Sequence, residues 1–407
     1  MTHAHGHAAS SRPAGRSWLS RFIAPQASGE TTTLFLVLAA TVVVLLVLGL
    51  LMTFSASFVL SAADTADSGH PDAFGIFRRQ LMWCMVGVPL TVGVALRDYR
   101  TWRPYVRVVL IVALVLAVAV TIPGVGIERS GARRWLGVEP LVFQPAELLK
   151  LAVPLFCADL LARRWGRLRT GDLRALLVPI APLLALVAVV VMAEPDLETA
   201  ALLVAIGIVM LYVAGLPVRW LLAGGVAGVA LVGIGVATAE FRVGRFGAWL
   251  DPTSSPAEFG YQTLQSYYAM GNGGWFGTGL GVGHAKWLYL PNAHTDFIFA
   301  NIGEELGLLG TLLVLALYLV IAVVGVRIAA LAPDSFGRLL ATGLVSAILL
   351  QAAINMGSVV GLLPVTGVTL PFVSFGGTSL VITMVSASLL LSIARHTRSA
   401  GSKASGT

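Results

Sequence analysis

TLFLVLAATVVVLLVLGLLMTF, from Thr33 to Phe54, contains no charged residue and, as a helix, is long enough to cross the roughly 30 Å hydrocarbon core of a bilayer. Further apolar runs of similar character follow near residues 79–96, 106–123, 146–162, 174–193, 199–214, 219–238, 297–326, 338–356 and 378–394. The chain of 407 residues is 57% hydrophobic and 12% charged, with a mean hydropathy of +0.85, which soluble domains of this length do not show. The sequence therefore predicts an all-α polytopic membrane protein with about ten transmembrane helices.

The orientation of the spans follows from the preference of Lys and Arg for cytoplasmic loops. If the N-terminus is cytoplasmic, most of the 27 basic residues fall inside, and both termini then lie in the cytoplasm. We expect a disordered cytoplasmic tail over residues 1–30, a membrane domain over 31–396 and a second cytoplasmic tail over 397–407. The exceptions lie in or beside outer loops and suggest an anionic ligand there: Arg78, Arg79, Arg129, Arg133, Arg134, Lys150, Arg242, Arg245 and Lys286.

The net charge of +7 mostly reflects cytoplasmic loops that would face anionic headgroups, so membrane lipids are expected partners. The sequence contains no nucleic-acid-binding motif, and a nucleic-acid partner is not expected. Cys84 and Cys157 both fall inside predicted spans. They are expected to be buried packing residues rather than parts of extracellular disulfides.

Three outer segments are too long or too unusual to be simple connectors: 124–145, 239–295 between helices 7 and 8, and 357–377 before helix 10. The last of them is apolar yet rich in Pro and Gly, which predicts a re-entrant or cavity-capping loop rather than a straight helix. Within the middle segment, residues 261–270 suit a short helix in the membrane interface. The Gly-rich run 271–281 fits either a loop whose amides approach a ligand or a hinge.

Basic and polar residues cluster where the fourth span begins. Arg133 and Arg134 precede the span, and Gln144, Glu147 and Lys150 lie at its start. Glu147 and Lys150 are three residues apart, so they share a helix face and can pair one turn into the membrane. The cluster fits either a structural ion pair or a binding site for a lipid diphosphate. The adjacent Arg133 and Arg134 favour the diphosphate site.

An acidic turn joins the fifth and sixth spans, with Glu194, Asp196 and Glu198 inside five residues. Carboxylate oxygens suit Mg²⁺ or Mn²⁺, which bind beside phosphates while keeping several waters. One interpretation is therefore a divalent cation near Asp196. The alternative is a helix cap, in which an acid offsets the dipole of the sixth span.

Asp296 lies in the run PNAHTDFIFA (291–300), at the mouth of the eighth span. A lone acid beside a long apolar segment is costly and is therefore a candidate functional residue. A helix N-cap is the alternative interpretation. Because spans 4, 5, 6 and 8 all carry polar residues near their outer ends, they are expected to line one cavity. Substrate contacts are also expected from the third outer loop, at Ser374, Gly376 and Gly377.

At these residues the chain resembles the SEDS family of cell-wall polymerases, whose FtsW branch acts in division and whose RodA branch acts in elongation. The motifs are QPAELLK (144–150), PDL (195–197), HTDFIF (294–299) and GEELG (303–307), and the resemblance covers nearly the whole chain. Ala293, Ile302-Gly303 and GVTLPF (367–372) are more similar to FtsW than to RodA.

The resemblance implies a peptidoglycan glycosyltransferase that polymerises lipid II, a disaccharide-pentapeptide carried on undecaprenyl diphosphate, at the outer face of the cytoplasmic membrane. The catalytic carboxylate of the family falls on Asp296, which would act as general base toward the acceptor hydroxyl. Arg133, Arg134 and Lys150 would stabilise the leaving diphosphate. A class B penicillin-binding transpeptidase and other division proteins are implied as partners at the division septum.

The chain departs from the family pattern at four positions. Leu288 and Asn292 stand where division-type relatives often have glutamates, Glu198 stands where glycine is usual, and Phe375 replaces the usual tyrosine. These differences bear on any accessory acid before Asp296 and on the shape of the acidic turn.

Other functions fit the same architecture. A lipid II flippase would also use a basic cavity, intramembrane charges and broken helices, but it would need no general base on the outer face. A noncatalytic scaffold would gain nothing from buried acids. Within the family, the elongation-type polymerase is the alternative.

Overall fold

A computed structural model describes residues 29–65, 72–129, 131–138, 141–169, 172–237 and 240–397. The predicted tails, 1–30 and 397–407, lie outside these ranges except for their innermost residues. The disorder of the first and the cytoplasmic location of both stay predictions. In chain order the α-helices are α1 (Gly29–Asp64), α2 (Gly75–Leu96), α3 (Val106–Val120), α4 (Pro145–Ala162), α5 (Trp165–Arg169), α6 (Leu173–Ala193), α7 (Leu197–Val213), α8 (Val218–Ala237), α9 (Glu240–Leu250), α10 (Tyr261–Gly273), α11 (Ile298–Leu331), α12 (Ser335–Val359) and α13 (Gly377–His396).

Each predicted span coincides with one of these helices, namely α1 to α4, α6 to α8 and α11 to α13. In the described ranges, 7 helical stretches are long and apolar enough to cross a membrane: Thr33–Asp64, Gly75–Leu96, Tyr99–Val120, Leu176–Ala193, Ile298–Leu331, Ser335–Val359 and Gly377–His396. Of the others, α7 has 17 residues, and α4 carries Glu147, Lys150 and Asp159. The predicted helical architecture is confirmed, while the number of ten spans stays a prediction.

Residues readable in the sequence fix where several helices start. Pro145 occupies the first turn of α4, where its missing N–H removes no helical hydrogen bond. Asp196 caps α7 by accepting the backbone N–H of Thr199 at 3.0 Å. In the same way, Asp334 caps α12 by accepting the N–H of Gly337 at 2.7 Å.

The connections meet at two ends of the bundle, as alternating spans require. At the end predicted to be cytoplasmic, the Tyr99 hydroxyl before α3 donates to the Asp334 carboxylate before α12 at 2.6 Å. At the opposite end, the backbone N–H of Gln144 donates to the Thr378 hydroxyl at 3.2 Å. The predicted grouping of the loops is therefore present, and which end faces the cytoplasm stays a prediction.

A small sheet makes the all-α prediction incomplete. Outer segment 124–145 contains β1 (Ile127–Arg129), β2 (Ala132–Val138) and β3 (Leu141–Phe143), which pair antiparallel in the order β1–β2–β3. Large apolar residues face each other across the strands, Trp135 opposite Ile127 and Leu136 opposite Phe143. Such cross-strand pairs stabilise a short sheet that no helical periodicity could reveal.

The Gly-rich run in the middle outer segment packs directly on α11. A Cβ at Gly273 would lie 1.9 Å from the carbonyl oxygen of Gly303, and a Cβ at Gly277 would lie 2.2 Å from that of Glu305. Gly273 and Gly277 are needed because two backbones touch there with no room for a side chain between them. A Cβ at Gly271 or Gly274 would meet nothing within 4 Å, so for the rest of the run the ligand loop and the hinge stay predictions.

Candidate active site

Asp296 lies in the turn that precedes α11, after a π-helical turn at Ala285–Tyr289. The N-cap of α11 is Phe297, which makes no side-chain capping bond, so the N-cap interpretation of Asp296 is wrong. Within the described ranges the Asp296 carboxylate has neither a hydrogen bond nor an ion pair, although the residue is only partly exposed. The carboxylate is thus available to a ligand.

Helix α12 and the loop before α13 hold the backbone around Asp296 in place. Asn355 Nδ2 on α12 donates to the carbonyl oxygens of Asp296 (2.7 Å) and Val368 (2.8 Å). The Ser374 hydroxyl donates to the carbonyl of Thr295 at 2.6 Å and accepts the N–H of Leu370 at 2.7 Å. The loop before α13 and the turn before α11 therefore form one unit.

Gln80 on α2 extends this unit to a third element. Its side-chain amide donates to the carbonyl of Ser374 at 3.2 Å, and its carbonyl accepts the N–H of Gly376 at 3.4 Å. Gly377 starts α13 directly against Trp83, because a Cβ there would lie 2.1 Å from Trp83 Nε1. The predicted substrate contacts Ser374, Gly376 and Gly377 thus have structural partners, and their binding role stays a prediction.

Burial and two charges set the ionisation of Asp296. Burial raises the pKa of Asp296 to about 7, with the Arg245 guanidinium opposing this shift and the Glu198 carboxylate adding to it. Arg245 on α9 and Glu198 on α7 lie 3.9 Å apart. Burial lowers the pKa of His294 to about 4, so that imidazole is neutral near pH 7. Asp296 is therefore the group of this turn that titrates in the physiological range.

Arg134 attaches the small sheet to the acidic turn. Its guanidinium donates to the carbonyl oxygens of Glu194 (2.9 Å) and Pro195 and lies 3.9 Å from the Asp196 carboxylate. Gln144 Nε2 donates to the same carboxylate at 3.2 Å. The structure thus brings Arg134, Gln144 and Asp196 together, as the sequence led us to expect. Arg133 instead pairs with Glu128 across the strands at 3.1 Å, with both side chains exposed.

Lys150 belongs to a buried polar network. Its amine lies 2.6 Å from the Glu147 carboxylate, so the expected ion pair is present, and it donates to Gln351 Oε1 at 2.8 Å. Gln351 Nε2 donates in turn to the carbonyl of Thr369 at 2.9 Å. Because the Lys150 residue is 4% exposed and its amine has these partners, the geometry favours the structural alternative over diphosphate binding.

Glu304 and Glu305, which follow the HTDFIF motif on α11, anchor segment 239–295. Glu304 accepts the backbone N–H groups of His284 and Ala285 at 2.9 and 3.0 Å. Glu305 accepts the Ser55 hydroxyl at 2.6 Å and lies 3.1 Å from the Lys286 amine. These acids fix the π-helical turn that leads to Asp296, rather than sharing its chemistry.

The acidic turn does not form a metal centre by itself. No group of three or more His, Cys, Asp or Glu residues in the described part of the chain is arranged to hold a metal ion. The Asp196 carboxylate is engaged by the helix cap and by Gln144. Burial and the neighbouring Asp196 raise the pKa of Glu194 to about 8, so Glu194 is mostly neutral at pH 7. A Mg²⁺ or Mn²⁺ ion held mainly by substrate phosphates stays a prediction.

Sequence reasoning gave no role to Gln80, Gln351 or Asn355. Gln351 and Asn355 are four residues apart on α12, so two amides on one face of an apolar helix were a usable signal. Gln80 had no such signal. Arg245 was noted as a basic residue on the outer side, but nothing in its surroundings linked it to Asp296.

Replacing Gly49 by Ala should displace the loop before α13, which contains Ser374. Gly49 on α1 touches that loop directly, because a Cβ there would lie 2.5 Å from the Phe372 carbonyl oxygen and 2.7 Å from Val373 Cα. We expect a lower unfolding temperature and lower activity. Val373 is followed directly by Ser374, whose hydrogen bonds hold the turn at Asp296, so moving Val373 should disturb that turn. Gly93→Ala on α2 is the matched control, since a Cβ there meets nothing within 4 Å. Equal effects of the two changes would show that the close approach is unimportant.

The helical fold and the loops organised around an open carboxylate define a class of multi-pass membrane proteins with a site at one end of the bundle. The chain belongs to the cell cycle protein family of FtsW, RodA and SpoVE, whose sequence profile matches residues 35–399. The resemblance to the SEDS family, and to its FtsW-like members, is thus confirmed.

Several relatives align over most of the chain. Stage V sporulation protein E of Bacillus subtilis is 40% identical over 367 residues, which is 89% of this chain and 97% of that protein. The probable peptidoglycan glycosyltransferase FtsW of Mycobacterium tuberculosis is 40% identical over 371 residues, 90% of this chain and 69% of that protein.

Solved structures show the same fold. A chain from a peptidoglycan synthase complex that coordinates polymerization and crosslinking has a TM-score of 0.67 at 28% identity, covering 88% of this chain and 96% of that chain. The rod shape determining protein RodA of Thermus thermophilus has a TM-score of 0.63 at 27% identity, covering 88% of this chain and 95% of that chain.

Proposed function

We propose that this protein is a peptidoglycan glycosyltransferase that polymerises lipid II at the outer face of the cytoplasmic membrane. The observation that carries the proposal is the Asp296 carboxylate, which has no partner among the described residues and a pKa raised to about 7. A general base works best when its pKa lies near the working pH. Relatives named as probable peptidoglycan glycosyltransferases support the same activity.

In the proposed reaction, the 4-hydroxyl of the acceptor sugar attacks the anomeric carbon of the donor chain. The new glycosidic bond forms as the bond to the lipid diphosphate breaks, and the diphosphate leaves with the bonding electrons. Asp296 takes the hydroxyl proton, because an unassisted hydroxyl is a weak nucleophile near neutral pH. Asn355 donates to the Asp296 carbonyl and Ser374 to the Thr295 carbonyl, and these bonds hold the turn and so orient the base.

Negative charge develops on the leaving diphosphate and needs nearby cations. Arg134 and Arg245 serve this role better than Lys150, because their side chains are 28% and 40% exposed. The Lys150 amine is buried and already bonded to Glu147 and Gln351. Arg133 is exposed on the sheet and remains a candidate contact. Lys150 acts as a positioning residue, through Gln351, for the loop before α13.

For the biological role we propose septal synthesis with a class B penicillin-binding transpeptidase that crosslinks the strands. Relatives named FtsW and the solved synthase complex support this assignment. Depletion in the native host tests it: division-type function predicts cells that grow without forming septa. Cells that lose their shape but still divide would indicate the elongation role instead.

The decisive experiment compares polymerisation with translocation. The purified protein is reconstituted with its cognate transpeptidase, given lipid II, and the products are resolved on gels for wild type and Asp296→Ala. We expect glycan ladders from wild type alone. If neither protein makes polymer while the wild type moves lipid II across vesicles, the flippase function replaces the polymerase.

The pH dependence of polymerisation should report the ionisation of Asp296. The base must be deprotonated, so kcat/KM should fall as the pH drops through about 7, the pKa raised by burial. Arg245→Gln removes a charge that lowers this pKa, so the acidic limb should move to higher pH. The measurement is kcat/KM from pH 5.5 to 9.

Arg245→Lys and Arg242→Gln are the controls for this shift. Lysine keeps the positive charge and should largely restore the wild-type profile. Arg242 lies on the same helix but donates to the Gly235 carbonyl at 2.8 Å, so its loss should not move the limb. A profile that is unchanged in Arg245→Gln would mean that another group titrates.

A further inference from the structure

Two adjoining cavities, of about 440 and 350 Å³, lie between α3 and α4 at the end of the bundle predicted to be cytoplasmic. The larger is lined mainly by arginines: Arg107, Arg163, Arg164 and Arg167. The smaller is lined mainly by apolar side chains: Leu110, Ile111, Phe156 and Leu160. The two cavities share Arg107, Leu160 and Arg163, so they form one groove with a basic mouth and an apolar continuation.

Both helices carry arginines at this end of the bundle and apolar residues farther into it, although they run in opposite directions. Along α3, which leaves this end, Ile111 lies one turn beyond Arg107. Along α4, which returns to it, Phe156 and Leu160 precede Arg163 on the same face. At a rise of 1.5 Å per residue, Ile111 lies about 6 Å above the level of Arg107. That order matches a lipid headgroup followed by its acyl chain.

A buried acid shapes the basic mouth. Asp159 is 3% exposed and accepts the Nε–H groups of Arg103 at 2.7 Å and Arg163 at 2.8 Å. One carboxylate thus orients two guanidinium groups. Arg164 donates to the carbonyl of Leu160 at 3.2 Å, and Arg107 has no hydrogen bond or ion pair with any residue in the described ranges. Positive charge therefore exceeds negative charge at the mouth.

We propose that this groove binds an anionic phospholipid of the adjacent leaflet, with its phosphate at Arg107 and Arg164 and an acyl chain along Ile111 and Phe156. Guanidinium groups recognise phosphate through paired hydrogen bonds. Basic pockets between transmembrane helices on the cytoplasmic side suit anionic headgroups. A free phosphate would leave the apolar part unused, and an acidic protein segment would not extend toward the hydrocarbon layer.

The test measures lipid retention by the full-length protein in detergent. The protein is titrated with phosphatidylglycerol or phosphatidylcholine in mixed micelles, and bound lipid is counted by native mass spectrometry. We expect wild type to prefer phosphatidylglycerol and Arg107→Gln/Arg164→Gln to bind it about 30-fold more weakly, roughly fivefold for each arginine. Arg219→Gln/Arg327→Gln, which removes two charges at the same end but outside the groove, should bind like wild type.

Ile111→Trp separates a lipid from other anions. It fills the apolar part while keeping every arginine, and it should fold because Ile111 is 59% exposed. We expect weaker binding of phosphatidylglycerol with thermal stability unchanged. Unchanged binding in Ile111→Trp would overturn the proposal, as would equal losses in both arginine pairs. Displacement of the lipid by inorganic phosphate or by a poly-glutamate peptide at equal concentration would also overturn it, in favour of an ion or an acidic protein segment.

Discussion

Asp296→Asn is expected to lower the rate of lipid II polymerisation by about 10²- to 10⁴-fold while leaving the fold intact. An amide has nearly the shape of a carboxylate but cannot take up the acceptor proton near neutral pH. Because the Asp296 side chain contacts no hydrogen-bonding group in the described ranges, the substitution removes no structural bond. The rate of glycan formation and the unfolding temperature, measured in one detergent, check both parts.

Asp251→Asn is the matched control for that experiment. Asp251 lies in segment 239–295, which leads into Asp296, but its carboxylate accepts the N–H and hydroxyl of Thr253 in a local turn. The control should polymerise lipid II at nearly the wild-type rate. Substantial polymerisation by Asp296→Asn would remove Asp296 as the base and leave the reaction without a proton acceptor from this turn.

Lys286→Met is expected to destabilise the folded protein by about 3–5 kcal/mol, because it leaves the buried Glu305 carboxylate without its cation. The side chains of Lys286 and Glu305 are 6% and 0% exposed, and the amine lies 3.1 Å from the carboxylate. Activity should fall as well, since this pair holds the segment that leads into Asp296. Unfolding in detergent, followed by the loss of helical signal, measures the change.

Arg133→Met provides the contrast, because Arg133 and Glu128 are also 3.1 Å apart but have side chains that are 40% and 54% exposed. Losing an exposed pair should cost less than about 1 kcal/mol. The double variant Lys286→Met/Glu305→Gln should be less destabilised than the sum of its single changes. Equal destabilisation by Lys286→Met and Arg133→Met would show that burial does not govern this pair.

The helices were predictable because a helix that spans a bilayer needs a long apolar run, and such runs are visible without any partner. Asp296 was a candidate for the complementary reason, since an acid beside apolar sequence needs a function or a capping role to offset its cost. The structure excludes the cap, and the catalytic role stays a prediction. The pairing of Glu147 with Lys150 followed from helix periodicity alone.

Contacts between distant parts of the chain were not predictable in this way. Gln80 reaches the loop at Ser374 across a separation of 294 residues, and no local pattern encodes that meeting. Lys150 looked like a ligand for phosphate because its partner Gln351 is 201 residues away. The packing of the Gly-rich run on α11 was equally hidden, since glycine spacing reports freedom of the backbone but not what approaches it.

The hydrogen bonds that hold the turn around Asp296 are made almost wholly to main-chain atoms. Asn355 holds the carbonyls of residues 296 and 368, Ser374 holds that of residue 295, and the N–H of Phe375 donates to the carbonyl of His294 at 2.9 Å. Every amino acid offers the same carbonyl group, so mutation at positions 294, 295 and 368 leaves these bonds formally intact. The contact of Phe375 is likewise made by its backbone and does not depend on its side chain. The position of the Asp296 backbone is therefore insensitive to side-chain changes at its neighbours, and substitutions at residues 294, 295 and 368 can alter the surface of the site without moving residue 296.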